Sequence, residues 1–272
     1  MGMYVCISST MTDDQNDAAG VAGIAVWLVP SEPESALLQQ LMSRHPKPSV
    51  QHSFPHFHPH VTLATIRPPP PPPTTSNSRP EPDEREGTSE SRNDHDMYKD
   101  MDPTTLLVLA LREAIPLGQR SLGIRFARVL TGDQYFLSIY ITLLSSSQST
   151  ELAQLCSALL QVAVSDGGPN SEKAKAKASP AFPHLSLFYI ADEEAHTRVR
   201  LLQEMEREGV VRHSADGLSV ALRCTAQAGE DGDGDGVLEG FTATQIWIVD
   251  CEGPVEEWKV LDKILLATSD RA

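Results

Sequence analysis

Apolar residues occur in short blocks cut apart by proline, glycine and charge, and the blocks switch between two periods. Gly23-Ile24-Ala25-Val26-Trp27-Leu28-Val29 is one continuous apolar run ended by Pro30, which predicts a buried strand. Ser31 then stands where a helix N-cap belongs, and Leu37, Leu38, Leu41 and Met42 recur at helical spacing up to Pro46. A second strand is predicted over His60-Val61-Thr62-Leu63-Ala64-Thr65-Ile66. Leu106, Leu107, Leu109, Leu111 and Ala114 predict a helix that ends at Pro116, and Leu122–Val129 and Tyr135–Leu144 predict a hairpin around Thr131-Gly132-Asp133.

The second half repeats this plan. The strand at 135–144 leads into a helix carrying Leu152, Leu155, Cys156, Leu159 and Leu160. A polar loop follows, then a strand at His184-Leu185-Ser186-Leu187-Phe188-Tyr189-Ile190. Asp192 is expected to cap a helix bearing Val199, Leu202 and Met205. Strands at 218–224 and 243–250 and a short end around Trp258-Lys259-Val260-Leu261 complete the chain. Each half reads strand, helix, histidine-containing strand, helix, strand, so the simplest architecture is an internally duplicated α+β chain of two lobes, about 21–130 and 131–265.

Two regions break the pattern. Residues 1–20 are polar without periodicity and read as a disordered tail. From the six prolines Pro68–Pro73 to Asp102 there is almost no apolar content, with 9 acidic residues against 4 basic. Such a segment buries too little surface to offset its chain entropy, so 68–102 is expected to be a disordered insertion within a single domain spanning 21–265.

Composition narrows the function classes. Of 272 residues, 22 are Lys or Arg and 37 are Asp or Glu, a net charge of -15. That balance argues against grip on a long nucleic acid, which needs a basic surface to displace counterions, and against docking on an anionic membrane. The acidic excess sits mainly in the tail, the insertion and residues 229–239, so it does not count against a small phosphate in a cleft. No apolar run is long enough to span a bilayer. The start matches neither a signal peptide nor a myristoylation site, because Cys6 stands where Ser or Thr is wanted. An intracellular, cytoplasmic chain is expected. The 4 cysteines (Cys6, Cys156, Cys224, Cys251) have neither disulfide nor zinc spacing.

The chemistry lies in two matching stretches, Phe57-His58-Pro59-His60-Val61-Thr62-Leu63 and Ala181-Phe182-Pro183-His184-Leu185-Ser186-Leu187. Each is Pro-His-x-Thr/Ser-Leu at the start of the middle strand of its half. Residues i and i+2 of a strand share a face, so His60 lies with Thr62 and His184 with Ser186. Two such strands facing each other would bring two imidazoles and two hydroxyls into one cleft. A cyclic phosphodiester needs a base to activate water and an acid to protonate the departing ribose oxygen, roles two histidines can hold together. The hydroxyls would donate to the phosphoryl oxygens, whose charge grows in the transition state. The scheme needs no metal and no cofactor.

Other readings compete. His52, His56, His58 and His60 could form a metal site, although no carboxylate lies close and Pro55 and Pro59 disturb the strand. Asp231-Gly232-Asp233-Gly234-Asp235-Gly236 imitates a calcium loop, but Thr242 stands where a bidentate Glu is needed. Lys173, Lys175 and Lys177 could steer phosphate, and Trp247 and Trp258 read as packing residues.

The chain resembles a fungal cyclic nucleotide phosphodiesterase of the 2H phosphoesterase superfamily. The resemblance is carried by Ile24-Ala25-Val26-Trp27-Leu28-Val29-Pro30, by both histidine motifs, and by Cys251-Glu252-Gly253-Pro254-Val255-Glu256-Glu257-Trp258-Lys259-Val260-Leu261-Asp262. It covers about 22–265, apart from the proline-rich insertion that stretches the interval between motifs. It implies the two-lobed 2H phosphoesterase fold: pseudo-two-fold duplicated antiparallel sheets with outer helices and a central cleft. It further implies hydrolysis of 2',3'-cyclic nucleotides to 2'-phosphonucleotides, and of the 1'',2''-cyclic phosphate of ADP-ribose, at the end of tRNA splicing metabolism. By carry-over His184 is the general base and His60 the general acid, with the reverse left open. Thr62 and Ser186 hold the phosphate, and Tyr135 stands near the base or sugar unless it is ordinary strand packing. The expected partner is a small cyclic phosphate, the expected state a monomer, and the resemblance admits a Golgi association. Action on RNA ends and non-catalytic nucleotide binding are the alternatives.

Overall fold

The computed structural model describes residues 23–44, 54–66, 101–144, 148–165, 183–225 and 236–268. The tail, most of the insertion, the loop with Lys173, Lys175 and Lys177, and the Asp-Gly repeat lie outside the described residues. The elements run β1 (Ile24–Pro30), α1 (Glu32–Arg44), β2 (Val61–Ile66), α2 (Pro103–Ala114), β3 (Leu122–Thr131), β4 (Ile139–Leu143), α3 (Gln148–Ser165), β5 (His184–Phe188), α4 (Ala195–Arg207), β6 (Val211–His213), β7 (Val220–Arg223), β8 (Val237–Leu238), β9 (Gly240–Asp250) and β10 (Lys259–Leu265).

Seven strands form one antiparallel sheet in the order β1-β2-β5-β4-β3-β9-β10, and an added β1–β9 pairing closes six of them into a barrel with β10 on its edge. The strands of the two sequence halves therefore interleave in one ring rather than forming two separate sheets. β6, β7 and β8 make a small second sheet.

The alternation of side chains explains why the ring has two apolar faces. Ile24, Val26 and Leu28 of β1 point outward with Val61, Leu63, Leu122, Ile124, Phe126, Ile141, Leu185 and Leu187. There they meet Leu38 and Leu41 of α1, Leu107 and Leu111 of α2, Leu155 and Leu159 of α3, and Met205 of α4. Ala25, Trp27 and Val29 point to the other face and pack with Val249, Cys251, Trp247 and Trp258. β1 is buried along its whole length, which is why it reads as an uninterrupted apolar run.

Four expectations change. Tyr135 does not open a strand, because Tyr135–Leu137 form a 3-10 turn and β4 begins only at Ile139. The cause is Ser138, fully buried, whose single hydroxyl proton has Tyr135 O at 2.6 Å and Ile190 O at 3.0 Å as acceptors while its oxygen accepts from Ile190 N at 2.9 Å. Gly132 completes the turn, since a Cβ there would stand 2.5 Å from Leu137 O. Asp192 does not cap α4. It starts its own 3-10 turn and holds the guanidinium of Arg198, which is 2% exposed and also donates to Ile190 O at 2.7 Å and Gly132 O at 3.1 Å. Asp102 does not belong to the insertion but caps α2, accepting from Thr105 N at 3.0 Å ahead of Pro103. The C-terminal end around Trp258 continues as β10, and β6 and β8 are further strands too short to show a period.

Among the described residues no helix is long and apolar enough to cross a membrane.

Candidate active site

β2 and β5 lie side by side and antiparallel, with Val61 opposite Leu185 and Thr62 opposite His184. Continuing that register by one residue sets His60 opposite Ser186. Directly opposed residues project to the same face, so all four motif side chains share the inner face of the ring. The arrangement has a local two-fold through the Val61–Leu185 pair, which exchanges one His-x-hydroxyl unit for the other. Val61 and Leu185 point the opposite way and are fully buried in the outer core, which locks the register.

His60 is 2% exposed, and its ring stacks on Trp27 at 3.7 Å between centroids and 10° between planes. Trp27 is opposite Thr62 in the β1–β2 ladder, so the indole forms the floor beside the motif. The Nδ1–H of His60 donates to His58 O at 2.6 Å, which leaves Nε2 with the lone pair. Burial pushes His60 down to about 3, opposed by that hydrogen bond and reinforced by the positive charges His184 and His58 could carry. The ring is therefore neutral at pH 7.

His184 has a different setting. It is 8% exposed, lies edge-on to Tyr140 at 5.5 Å, and is opposite Thr142 of β4 as well as Thr62. Ser186 is buried, and its hydroxyl donates to Phe136 O at 3.0 Å. Tyr189 bonds the same hydroxyl, and burial raises the Tyr189 phenol well above its usual range. Thr62 is half-buried.

An aromatic wall flanks the histidines. Tyr189 stacks on Phe57 at 4.1 Å and touches Tyr135 at 5.5 Å and Phe136 at 5.1 Å, while Trp258 bridges Phe136 at 5.8 Å and Trp27 at 5.7 Å. Tyr135 is thus near the site, though carried by a turn. Trp27, Phe136 and Tyr189 were not singled out in the sequence. Only the alternation of Ala25, Trp27 and Val29 against Ile24, Val26 and Leu28 marks one of them, by putting Trp27 opposite the core face.

The rings of His58 and His60 turn to different partners, Trp247 and Trp27, and residues 54–60 are not a strand. Among the described residues no group of three or more His, Cys, Asp or Glu is placed to hold a metal. Burial pushes the thiols of Cys156 up to about 11 and of Cys224 and Cys251 up to about 12, which suits packing and not nucleophilic attack. A cavity of about 300 Å³ lies between α1 and residues 54–58, on the side of Leu187 and Phe188, and none of the four motif side chains lines it.

No curated protein matches the chain significantly by sequence. Among solved structures, the chain is similar to a crystal structure described as a phosphoesterase, at 10% identity over 90% of this chain and 99% of that one, with a TM-score of 0.44. It is also similar to E. coli LigT in apo form, at 10% identity, 90% and 98% coverage and a TM-score of 0.42. LigT complexed with 3'-AMP gives 9% identity, the same coverage and a TM-score of 0.41. A family model described as cyclic phosphodiesterase-like protein matches residues 92–266, which takes in β5 with His184 and Ser186 and leaves β2 outside. That match spans well over half of the sequence, and the chain belongs to the family of cyclic phosphodiesterase-like proteins.

Proposed function

We propose that the chain hydrolyses 2',3'-cyclic nucleotides to 2'-phosphonucleotides without a metal ion, using His60 and His184 as an acid–base pair and Thr62 and Ser186 as donors to the phosphate. One observation carries this reading: the β2–β5 register sets both imidazoles and both hydroxyls on one face, related by a local two-fold. That symmetry suits in-line displacement, which needs a base on one side of phosphorus and an acid on the other.

The surroundings favour His60 as base and His184 as acid, the reverse of the carry-over from the resemblance. His60 is held neutral, with Nδ1–H on a carbonyl and the Nε2 lone pair presented. A bound phosphodiester anion raises the pKa of imidazoles beside it, so His60 gains basicity when substrate arrives. Water then attacks phosphorus while Nε2 of His60 takes its proton. The bond from phosphorus to O3' breaks, and protonated His184 gives its proton to O3'. Proton exchange with solvent restores the starting states.

The same site would open the 1'',2''-cyclic phosphate of ADP-ribose, and a role in tRNA splicing metabolism, in the cytoplasm with a Golgi association, goes with that substrate pair. We also read the two motifs as relics of an internal duplication. The test is incubation of 2',3'-cyclic AMP with the chain in EDTA, followed by product identification. The expected product is 2'-AMP; a need for added metal, or release of 3'-AMP, overturns the proposal.

A further inference from the structure

Beyond Trp27 the row of opposed residues on the inner face continues to Trp247 of β9 and then Lys263 of β10. The Lys263 ammonium lies 4.1 Å from the centroid of the Trp247 ring, and the His58 ring packs against the same indole at 4.5 Å. The indole is fixed by its Nε1–H, which donates to Gln245 Oε1 at 2.7 Å. His58 is also the residue whose carbonyl holds His60. A cation and a second imidazole thus share one aromatic shelf, next to the shelf on which His60 stacks.

The charge of Lys263 is available. Among the described residues no carboxylate pairs with it, and its neighbour Asp262 bonds Arg112 instead. Burial lowers the pKa of His58, opposed by its contact with Pro59 O and reinforced by Lys263, so Lys263 supplies the charge and His58 a neutral ring. The far end of the aromatic wall has the opposite sign, since the charge of Glu256 adds to burial in raising the Tyr135 phenol. An extended anionic ligand anchored at the histidines is therefore drawn toward Lys263 and away from Glu256.

We propose that Lys263, with His58 and Trp247, forms a second anion subsite that takes a phosphate other than the one being hydrolysed, namely the 5'-phosphate of a cyclic nucleotide. This rests on the function proposed above and adds a preference within its substrate class for cyclic phosphates carrying a further phosphate. The Lys263 ammonium lies over Trp247 of β9, and β9 is two strand spacings, roughly 10 Å, from β2, which His60 immediately precedes. A ribose with its 5'-phosphate, met by a four-carbon lysine stem, covers such a span.

The test uses two stable product-like probes, 2'-AMP and adenosine 2',5'-bisphosphate, titrated calorimetrically into the full chain. The wild-type chain should bind the bisphosphate about tenfold tighter, as one charge-assisted contact allows. Lys263→Gln should bring the ratio of the two affinities close to one, Lys263→Arg should retain most of it, and Lys259→Gln, on the same strand, should preserve it. Equal binding of both probes by the wild type, a ratio that survives Lys263→Gln, or an equal collapse in Lys259→Gln overturns the subsite. Turnover is read separately with 2',3'-cyclic AMP. A Lys263-dependent ratio without turnover leaves the subsite standing and removes the hydrolytic reading.

Discussion

The two histidine motifs have the same side chains on adjoining strands, yet their surroundings differ. His60 precedes its strand, is stacked on Trp27, and gives its Nδ1 proton to a carbonyl two residues back. His184 is the first residue of β5 and meets Tyr140 only edge-on. The hydroxyls differ in the opposite sense. Ser186, the partner across from His60, is buried and already donates to Phe136 O, whereas Thr62, across from His184, is half-buried. A local two-fold in the backbone thus frames a site that is chemically one-sided. An acid and a base must differ in this way to work at one pH.

The largest expected effect tests the shared part of the comparison. His60→Ala and His184→Ala should each lower the single-turnover rate on 2',3'-cyclic AMP by about 100- to 10,000-fold. Near-normal turnover in either variant removes that ring from the pair.

A smaller effect separates the hydroxyls. Thr62→Val should slow turnover by about 10- to 100-fold, and Ser186→Ala by less, because Ser186 must first release a carbonyl to serve a phosphate. Ser186→Ala should also cost about 1 kcal/mol of stability, measurable by urea unfolding, through the lost bond to Phe136 O. An equal rate loss without a stability cost would erase the distinction.

A further effect is on stability against pH. The folded pKa of His60, about 3, lies below its unfolded value of 6.5, so between these the unfolded chain binds the extra proton. The stability from a neutral His60 is fully present above pH 6.5 and is lost as pH falls toward 3. His60→Gln should lose less stability than the wild type between pH 7.5 and pH 5, by urea unfolding at each pH. Parallel losses would show that His60 is not held neutral.

The sequence already indicated the inner strands and the four motif residues, because alternation alone puts His60 with Thr62 and His184 with Ser186. It could not show that the two strands are direct neighbours, since closing a ring joins residues far apart in the chain. Tyr135 shows a second limit. Tyr135-Phe136-Leu137 has the composition of a strand, and its 3-10 turn is held in part by the contact of Ser138 with Ile190, 52 residues on. Arg198 carries no sequence signal for the same reason: its carbonyl partners, Gly132 O and Ile190 O, lie elsewhere in the chain. Trp247 and Trp258 read as packing residues, and the structure adds that each also adjoins the site.

The barrel closes through β1 and β9, where Ile24 meets Asp250 across nearly the whole described chain. On a ribosome β1, β2 and β5 are therefore all made before the strand that seals the ring exists. The two-pair contact between β2 and β5 must wait for that last long-range closure to become secure. A chain halted before β9 should hold both motifs but no stable site, so the site's chemistry can switch on only after β9 has been made.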